Sequence, residues 1–413
     1  MTKRVVVTGI GLVTAVGNDT PTTWQALCEG RSGVGPITMF DASDQEVRIA
    51  AEVKGFDPTL YMDRKEIRRN DRFVHFATGA AKQALSDAGF TVSDDIADDV
   101  GVIIGSGIGG LESCHDQFRV LFERGPDRIS PFFITEFITD IAAGYVSIQI
   151  GARGPNFATV SACATGANAI GEASEMIRRG DAIAMIAGGA ESAITPIGMA
   201  AFAQMHALSR RNDDPATASR PFDATRDGFV MGSGAGILLL EDEEYARKRG
   251  AHIYCELVGY AATADAYHIT EPAPQGAGLA RAMRRAIEKA GISASAVDYI
   301  NAHGTATVYN DRNETAAIKT VFGEHAYKLA VSSTKSMVGH TLGAAGGIEA
   351  GIAALSITHN VMPPTINLHH PDPECDLDYV PNQAREAKVN VALSNSMGFG
   401  GHNAVLAFRR YNG

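Results

Sequence analysis

Short apolar runs that stop at glycine turns recur along the chain, at 4–8, 101–104, 182–187, 236–241, 297–301, 329–331, 389–394 and 404–408. Between many of them the apolar positions return every three or four residues instead. The clearest cases are 72–88 and 279–290, where Leu279, Met283, Ile287 and Ala290 share one helical face. Continuous apolar strands alternating with amphipathic helices predict an α/β protein whose sheets are covered on both faces. A chain of 413 residues, 45% hydrophobic, exceeds the usual size of a single core. The expected organisation is one body of two similar parts, 1–250 and 251–413, dividing after a helical stretch at 242–249. A short internal echo points the same way: Cys163-x-x-Gly166-Ala167 and His340-x-x-Gly343-Ala344 each open a small-residue helix after a strand.

Charge and composition narrow the functions available. A net charge of -11 lacks the basic footprint of a general nucleic-acid binder. The apolar run at 5–7 behind Lys3 and Arg4 is broken by Gly9, Gly11 and Gly17 before a leader forms. No stretch approaches the roughly 18 consecutive apolar residues of a membrane span. Cys28, Cys114, Cys163, Cys255 and Cys375 are scattered with no CxxC pair, which argues against zinc or a disulfide framework. A soluble protein in the reduced cytoplasm is expected.

One cysteine has a distinctive setting. Cys163 lies in Ser161-Ala162-Cys163-Ala164-Thr165-Gly166-Ala167-Asn168, between a strand-like segment at 156–160 and a helix predicted at 164–179 and closed by Gly180. Unpaired N–H groups and the helix dipole at such a start can lower a thiol pKa from about 8.5 to roughly 3.5–7.5, and can hold an oxyanion. A free cysteine is more often a small buried apolar residue. Here the flanking alanines and glycine leave room beside the thiol for a substrate. Cys28 in an amphipathic helix, Cys255 in a strand, and Cys114 and Cys375 in polar surroundings read as structural.

Polar turns downstream supply partners for the thiol. Asn301-Ala302-His303-Gly304-Thr305 ends one strand, and Ser333-Thr334-Lys335-Ser336 with Gly339-His340 follows another. His303 and His340 are flanked by glycine at these ends, whereas His359, His369 and His370 lie in a loop-like polar stretch. Gly398-Phe399-Gly400-Gly401, between two strands, is suited to gating a pocket or offering backbone N–H groups. Gly105-Ser106-Gly107-Ile108-Gly109-Gly110 satisfies the dinucleotide fingerprint, but no strand ending in an acidic residue follows at the required spacing. A nicotinamide enzyme would also leave the Cys/His/His/Lys set unused.

Together with Val7-Thr8-Gly9-Ile10-Gly11, Gly188-Gly189-Ala190-Glu191, Arg220-Pro221-Phe222-Asp223 and Asp227-Gly228-Phe229-Val230, these stretches resemble the beta-ketoacyl-acyl carrier protein synthases along nearly the whole chain. Within that family the resemblance is strongest to the type II condensing enzymes of bacterial fatty acid synthesis. It implies a thiolase-like, five-layered α-β-α-β-α fold, a homodimer, and decarboxylative Claisen condensation. No cofactor is implied, because both substrates ride on the phosphopantetheine arm of acyl carrier protein.

By position, the resemblance makes Cys163 the nucleophile that takes the acyl chain as a thioester. It makes His303 and His340 hydrogen-bond donors to the enolate formed as carbon dioxide leaves, a task suited to neutral imidazoles. The N–H groups of Cys163 and Phe399 become a second oxyanion hole. Lys335 becomes a supporting lysine with Glu314 and Glu349 as acidic partners, and Phe399 the gate. Ile108 and Phe202 line the acyl tunnel, while Phe133 reaches the neighbouring subunit's tunnel. Thr305 and Thr307, with Thr270 a weaker candidate, fall where the family contacts the pantetheine arm. An acidic carrier needs a basic patch, which Arg64, Lys65, Arg68 and Arg69 supply, with Arg128 a further member. Three departures bear on carrier affinity, gating and chain length: Val308 for a common proline, Met397 for a frequent phenylalanine, and His206 for a docking arginine.

Other functions share parts of this set. A specialised polyketide-type ketosynthase would keep every catalytic residue and differ in tunnel shape. A Cys/His thiol acyltransferase or hydrolase would leave the second histidine and the lysine superfluous. A non-catalytic partner resembling a chain-length factor would have no use for Cys163, His303 and His340.

Overall fold

Each of the eight predicted apolar runs becomes a strand, displaced by a few residues at one or both ends. The computed structural model describes residues 3–413. Its main sheet contains, in chain order, β1 (Val5–Val13), β2 (Val100–Gly105), β3 (Asn156–Phe157), β4 (Ala184–Glu191) and β5 (Gly234–Asp242). It continues with β6 (Cys255–Ala264), β7 (Tyr299–Asn301), β8 (Ala330–Ser332), β9 (Val391–Gly398) and β10 (His402–Arg409). The principal helices are α1 (Arg72–Asp87), α2 (Leu111–Arg124), α3 (Ile141–Ile150), α4 (Thr165–Arg179), α5 (Ala277–Ala290), α6 (Val308–Phe322) and α7 (Ala345–His359).

The strand order is β8-β7-β9-β10-β6-β1-β5-β4-β2-β3. Outwards from the middle, β6, β10, β9, β7 and β8 repeat the order of β1, β5, β4, β2 and β3. The pairing sense repeats too, with two antiparallel steps and then two parallel ones. Among the described residues, strand pairing between the two sets is confined to Val6 opposite Glu256 and Val7 opposite Cys255. Helices α4 and α7 pack between the sets and touch strands of both, while α1 and α3 cover one outer face and α5 and α6 the other. The result is five layers, α-β-α-β-α.

Local chemistry accounts for the central helices. Both run for 15 residues and end in the left-handed conformation, α4 at Gly180 and α7 at Asn360. Buried on almost every side, α7 carries small and apolar residues on all its faces, with Glu349 and Ser356 as its buried polar side chains. Their N-termini meet backbone to backbone. A Cβ on Gly166 would lie 2.6 Å from the Gly347 nitrogen, and one on Gly346 would lie 2.4 Å from that of Ala167. Only glycine permits this approach, which brings the starts of both helices to one place.

Several local expectations change. The strand expected at 156–160 ends at Phe157, because Ser161 (φ -144°, ψ 45°) and Ala162 (φ 49°) turn the chain. Thr165 Oγ1 holds this turn by accepting the Ser161 N–H at 2.9 Å. Cys163 therefore occupies a 3-10 turn, Ala162–Ala164, that leads into α4. The internal repeat lies in another register: Leu342 (φ 48°) opens the equivalent turn, Leu342–Ala344, before α7. Cys163 thus corresponds to Gly343 and not to His340. His359 ends α7 and stacks on Trp24 at 5.3 Å, so it is not a loop residue. Cys375 is buried in the apolar core of the second half and not in polar surroundings, and Cys114 is half-buried in α2. Among the described residues, no helix is long and apolar enough to cross a membrane, and no group of three or more His, Cys, Asp or Glu side chains is placed to hold a metal ion.

Candidate active site

Four chain segments deliver the predicted groups to one cavity of about 530 Å³. The turn before α4 brings Cys163, the end of β7 brings His303, the segment after the short helix Lys335–Val338 brings His340, and the β9–β10 hairpin brings Phe399. Cys163 Sγ lies 3.0 Å from His340 Nε2, and the Phe399 N–H donates to the sulfur. The His303 and His340 rings stand edge to face, with centroids 5.3 Å apart and planes at 88°. Ile108, Phe202, Thr305, Thr307 and Thr270 also line the cavity. The two threonine hydroxyls of Thr305 and Thr307 are 3.0 Å apart.

The electrostatics differ in one respect from expectation. Burial pushes the Cys163 thiol up to about 12, with Glu191 and Glu349 adding to the push and with Lys335 and the Phe399 N–H opposing it. The resting residue is a thiol, not the thiolate that a helix start alone would favour. Burial also holds His303 and His340 well below the ordinary histidine range, and the Lys335 charge deepens both effects. Both imidazoles are neutral at physiological pH, and each has a buried Nδ1 with no partner among the described residues.

The two acidic neighbours divide their work. Lys335, 1% exposed, forms an ion pair with Glu349, whose carboxyl is pushed up to about 7 by burial against the pull of the lysine. Glu314 does not bond to Lys335. It accepts the His303 and Gly304 N–H groups at 2.9 and 2.8 Å and the Asn395 Nδ2 at 3.1 Å. The carboxylate therefore fixes the backbone that carries His303.

The remaining candidates fall around this centre. Arg64, Lys65 and Arg68 are exposed at and beside the short helix Arg64–Ile67, and Arg128 is exposed in the turn Pro126–Arg128. Arg69 is engaged instead, lying 4.6 Å over the Phe132 ring and pairing with Glu66 at 3.5 Å. Phe133 packs on Phe137 in the surface segment Phe133–Phe137, away from this cavity. Val308 is the first residue of α6, a position a proline occupies without loss of a hydrogen bond. Met397 is buried and lines the cavity beside Phe399. His206 Nδ1 is 2.7 Å from Arg210 Nη2, so a guanidinium stands next to the histidine.

Sequence reading assigned no role to Phe229, although its motif, Asp227-Gly228-Phe229-Val230, is part of the family resemblance. Phe229 lies between Phe202 and His340 in the cavity wall, edge to face with Phe202 at 5.6 Å and with His340 at 5.1 Å. It missed Asp265 as well, whose carboxylate accepts from Asn403 at 2.8 Å while its N–H donates to Gly401 in the β9–β10 hairpin, also at 2.8 Å. The dinucleotide-like loop does open a helix after a strand, but its N–H groups are already occupied: Gly107 and Ile108 donate to Glu191.

A buried thiol hydrogen-bonded to a neutral imidazole, with a second neutral imidazole beside it in a thiolase-type double α/β fold, defines an acyltransferase class of enzyme. Residues 2–246 match the beta-ketoacyl synthase N-terminal domain and 254–369 its C-terminal domain. The chain belongs to the beta-ketoacyl synthase family. It is 58% identical over 409 residues to a 3-oxoacyl-[acyl-carrier-protein] synthase 2 of Synechocystis sp., covering 99% of this chain and 98% of that protein. A protein of the same name from Coxiella burnetii is 52% identical over 408 residues, with 99% of each covered. A solved beta-ketoacyl synthase from Burkholderia phymatum superposes with a TM-score of 0.92 at 39% identity, covering 99% of this chain and 100% of that one. A chain from a solved complex of a type II PKS acyl-carrier protein with its ketosynthase gives a TM-score of 0.92 at 36% identity, with both chains fully covered.

Proposed function

We propose that this chain elongates acyl groups by decarboxylative condensation with malonyl-acyl carrier protein, releasing carbon dioxide and 3-oxoacyl-acyl carrier protein in fatty acid synthesis. The observation that carries the reading is the pairing of Cys163 Sγ with a neutral His340 at 3.0 Å beside a second neutral histidine, His303. As Sγ attacks the acyl-pantetheine thioester, its proton passes to His340 Nε2 and on to the departing pantetheine thiolate. The imidazole is thereby returned to its neutral form, and proton exchange with solvent places its hydrogen on Nε2, ready to donate. The malonyl thioester then enters, its carboxylate leaves as carbon dioxide, and the electron pair moves into an enolate whose oxygen accepts N–H groups from His303 and His340. The enolate carbon attacks the Cys163 thioester, whose oxygen is held by the Cys163 and Phe399 N–H groups. The attack forms the new carbon–carbon bond, and collapse of the tetrahedral adduct breaks the C–S bond and expels Sγ, which takes a proton from solvent.

The pantetheine arm brings both reactants, and these steps draw only on side chains and backbone. Thr305 and Thr307 line the arm's route, and the free cations Lys65 and Arg68 suit an acidic carrier. Identity of 52–58% to relatives named as 3-oxoacyl-[acyl-carrier-protein] synthase 2 favours fatty acid elongation over a polyketide role.

A homodimer is part of the reading. Strand β3 is an open edge of the sheet, and Phe118, Phe122, Phe132, Ile134, Phe157 and Val160 are exposed on the elements around it. A second copy related by two-fold symmetry would cover this face and extend the sheet. All five cysteines are free, in keeping with a reducing cytoplasmic setting. The test incubates purified protein with acyl and malonyl carriers and follows carbon dioxide and product mass. Cys163→Ala should yield no elongated product, and product formation at the wild-type rate would overturn the assignment.

A further inference from the structure

The steps above make no use of Glu191, a fully buried carboxylate at the end of β4 that forms no salt bridge among the described residues. Four donors converge on it. Oε1 accepts the Ser106 hydroxyl at 2.7 Å and the Ile108 N–H at 3.3 Å, and Oε2 accepts the Gly107 N–H at 2.8 Å and the Gly343 N–H at 3.0 Å. Burial raises its pKa and these four donors oppose the rise. Three of the four are backbone N–H groups that can only donate, and each oxygen receives at least one of them, a bonding pattern that favours the carboxylate.

The internal repeat gives these contacts a meaning. Gly343 is the counterpart of Cys163, at the middle of the second 3-10 turn. A Cβ there would fall 2.7 Å from Glu191 Oε2 and 2.3 Å from the Gly107 nitrogen. In the first half the turn's N–H is left for the acyl oxygen. In the second half the equivalent N–H is taken by a carboxylate of the protein itself. The device recurs beside the catalytic histidine, where Glu314 accepts two successive N–H groups, of His303 and Gly304, as Glu191 does those of Gly107 and Ile108. One carboxylate fixes the catalytic loop, and the other fixes the loop that presents Ile108 to the cavity.

We propose that Glu191 is a positioning residue for the acyl chain, an internal anion that ties the Ile108 loop to the turn at Gly343 and so sets the shape of the acyl end of the cavity. The proposal rests on the reading of Cys163 as the acyl anchor. Its consequence is selectivity: loosening Glu191 frees Ile108 and changes which chain lengths reach Cys163, while the thiol and both histidines stay in place.

Glu191→Gln keeps the volume but turns an amide N–H₂ toward N–H donors, so at least one donor loses its acceptor. With acyl carriers of short and long chains, the ratio of kcat/KM for Cys163 acylation should shift by about tenfold or more, the scale of one lost hydrogen bond to a charged group. Alkylation of Cys163 by iodoacetamide should also move to lower pH, because one negative neighbour is gone. Lys335, Glu349 and His340, the other ionisable groups acting on the sulfur, are unchanged. Ser106→Ala removes one donor and should shift the chain-length ratio in the same direction by less. A folded Glu191→Gln enzyme with the wild-type ratio overturns the proposal. If that variant does not fold, Ser106→Ala with the wild-type ratio does so. Absence of any acyl-enzyme in the wild type would instead sink the reading of Cys163.

Discussion

Replacing His303 with alanine should separate the two half-reactions. His340, and not His303, hydrogen-bonds the sulfur, so transfer of the acyl group to Cys163 should continue within a few-fold of the wild-type rate. The loop should survive, because Glu314 grips backbone N–H groups that alanine retains. What disappears is one of two donors to the enolate. Removing one such donor in a water-excluded site costs about 2.7–4 kcal/mol, a fall of roughly 10²–10³ in condensation. The lower part of that range is expected, since the space of a missing imidazole beside an open cavity admits a water that partly replaces the donor. The assay is sequential: mass analysis of the protein after acyl carrier reports acylation, and carbon dioxide with 3-oxoacyl product after malonyl carrier reports condensation. The pH dependence adds a check. His303 is held well below the ordinary range, so it stays neutral as pH falls through 6.5, and wild-type condensation should show no loss from histidine protonation there. Condensation reduced less than tenfold, or acylation reduced as much as condensation, would refute the division of labour between the two histidines.

Three further outcomes follow from the geometry. With its thiol pushed up to about 12, Cys163 in the free enzyme should react with iodoacetamide faster at every step in pH from 6 to 9, and a plateau with a midpoint below 7 would show that the helix start wins over burial. Lys65→Glu with Arg68→Glu should raise KM for the carrier at low salt with little change in kcat. That difference should shrink as ionic strength rises, and an unchanged KM would remove the docking patch. Gly166→Ala, whose Cβ would sit 2.6 Å from the Gly347 nitrogen, should lower stability by about 1–3 kcal/mol in thermal or urea unfolding, and an unchanged midpoint would mean the helix starts can move apart freely.

The amino-acid sequence by itself determined the parts whose signal is local. A strand that stops at glycine and a helix that starts among small residues are written in neighbouring positions, so Cys163, His303, Lys335, His340 and Phe399 could be picked out one turn at a time. The helices read at 72–88 and 279–290, which form at Arg72–Asp87 and Ala277–Ala290, were legible for the same reason, since their apolar period needs no partner to be seen. Tertiary structure decided whatever depends on groups brought together from far along the chain. The repeat could not be put in register from spacing, because the equivalence of Cys163 with Gly343 rests on a backbone turn, φ 49° at Ala162 and 48° at Leu342, that alanine and leucine do not announce. Glu314 and Glu191 gained their work only when loops 10 and 84 positions away pointed N–H groups at them. The protonation of Cys163 turned on burial by both halves at once, a sum over the whole fold that outweighed the dipole of the one helix visible in the sequence.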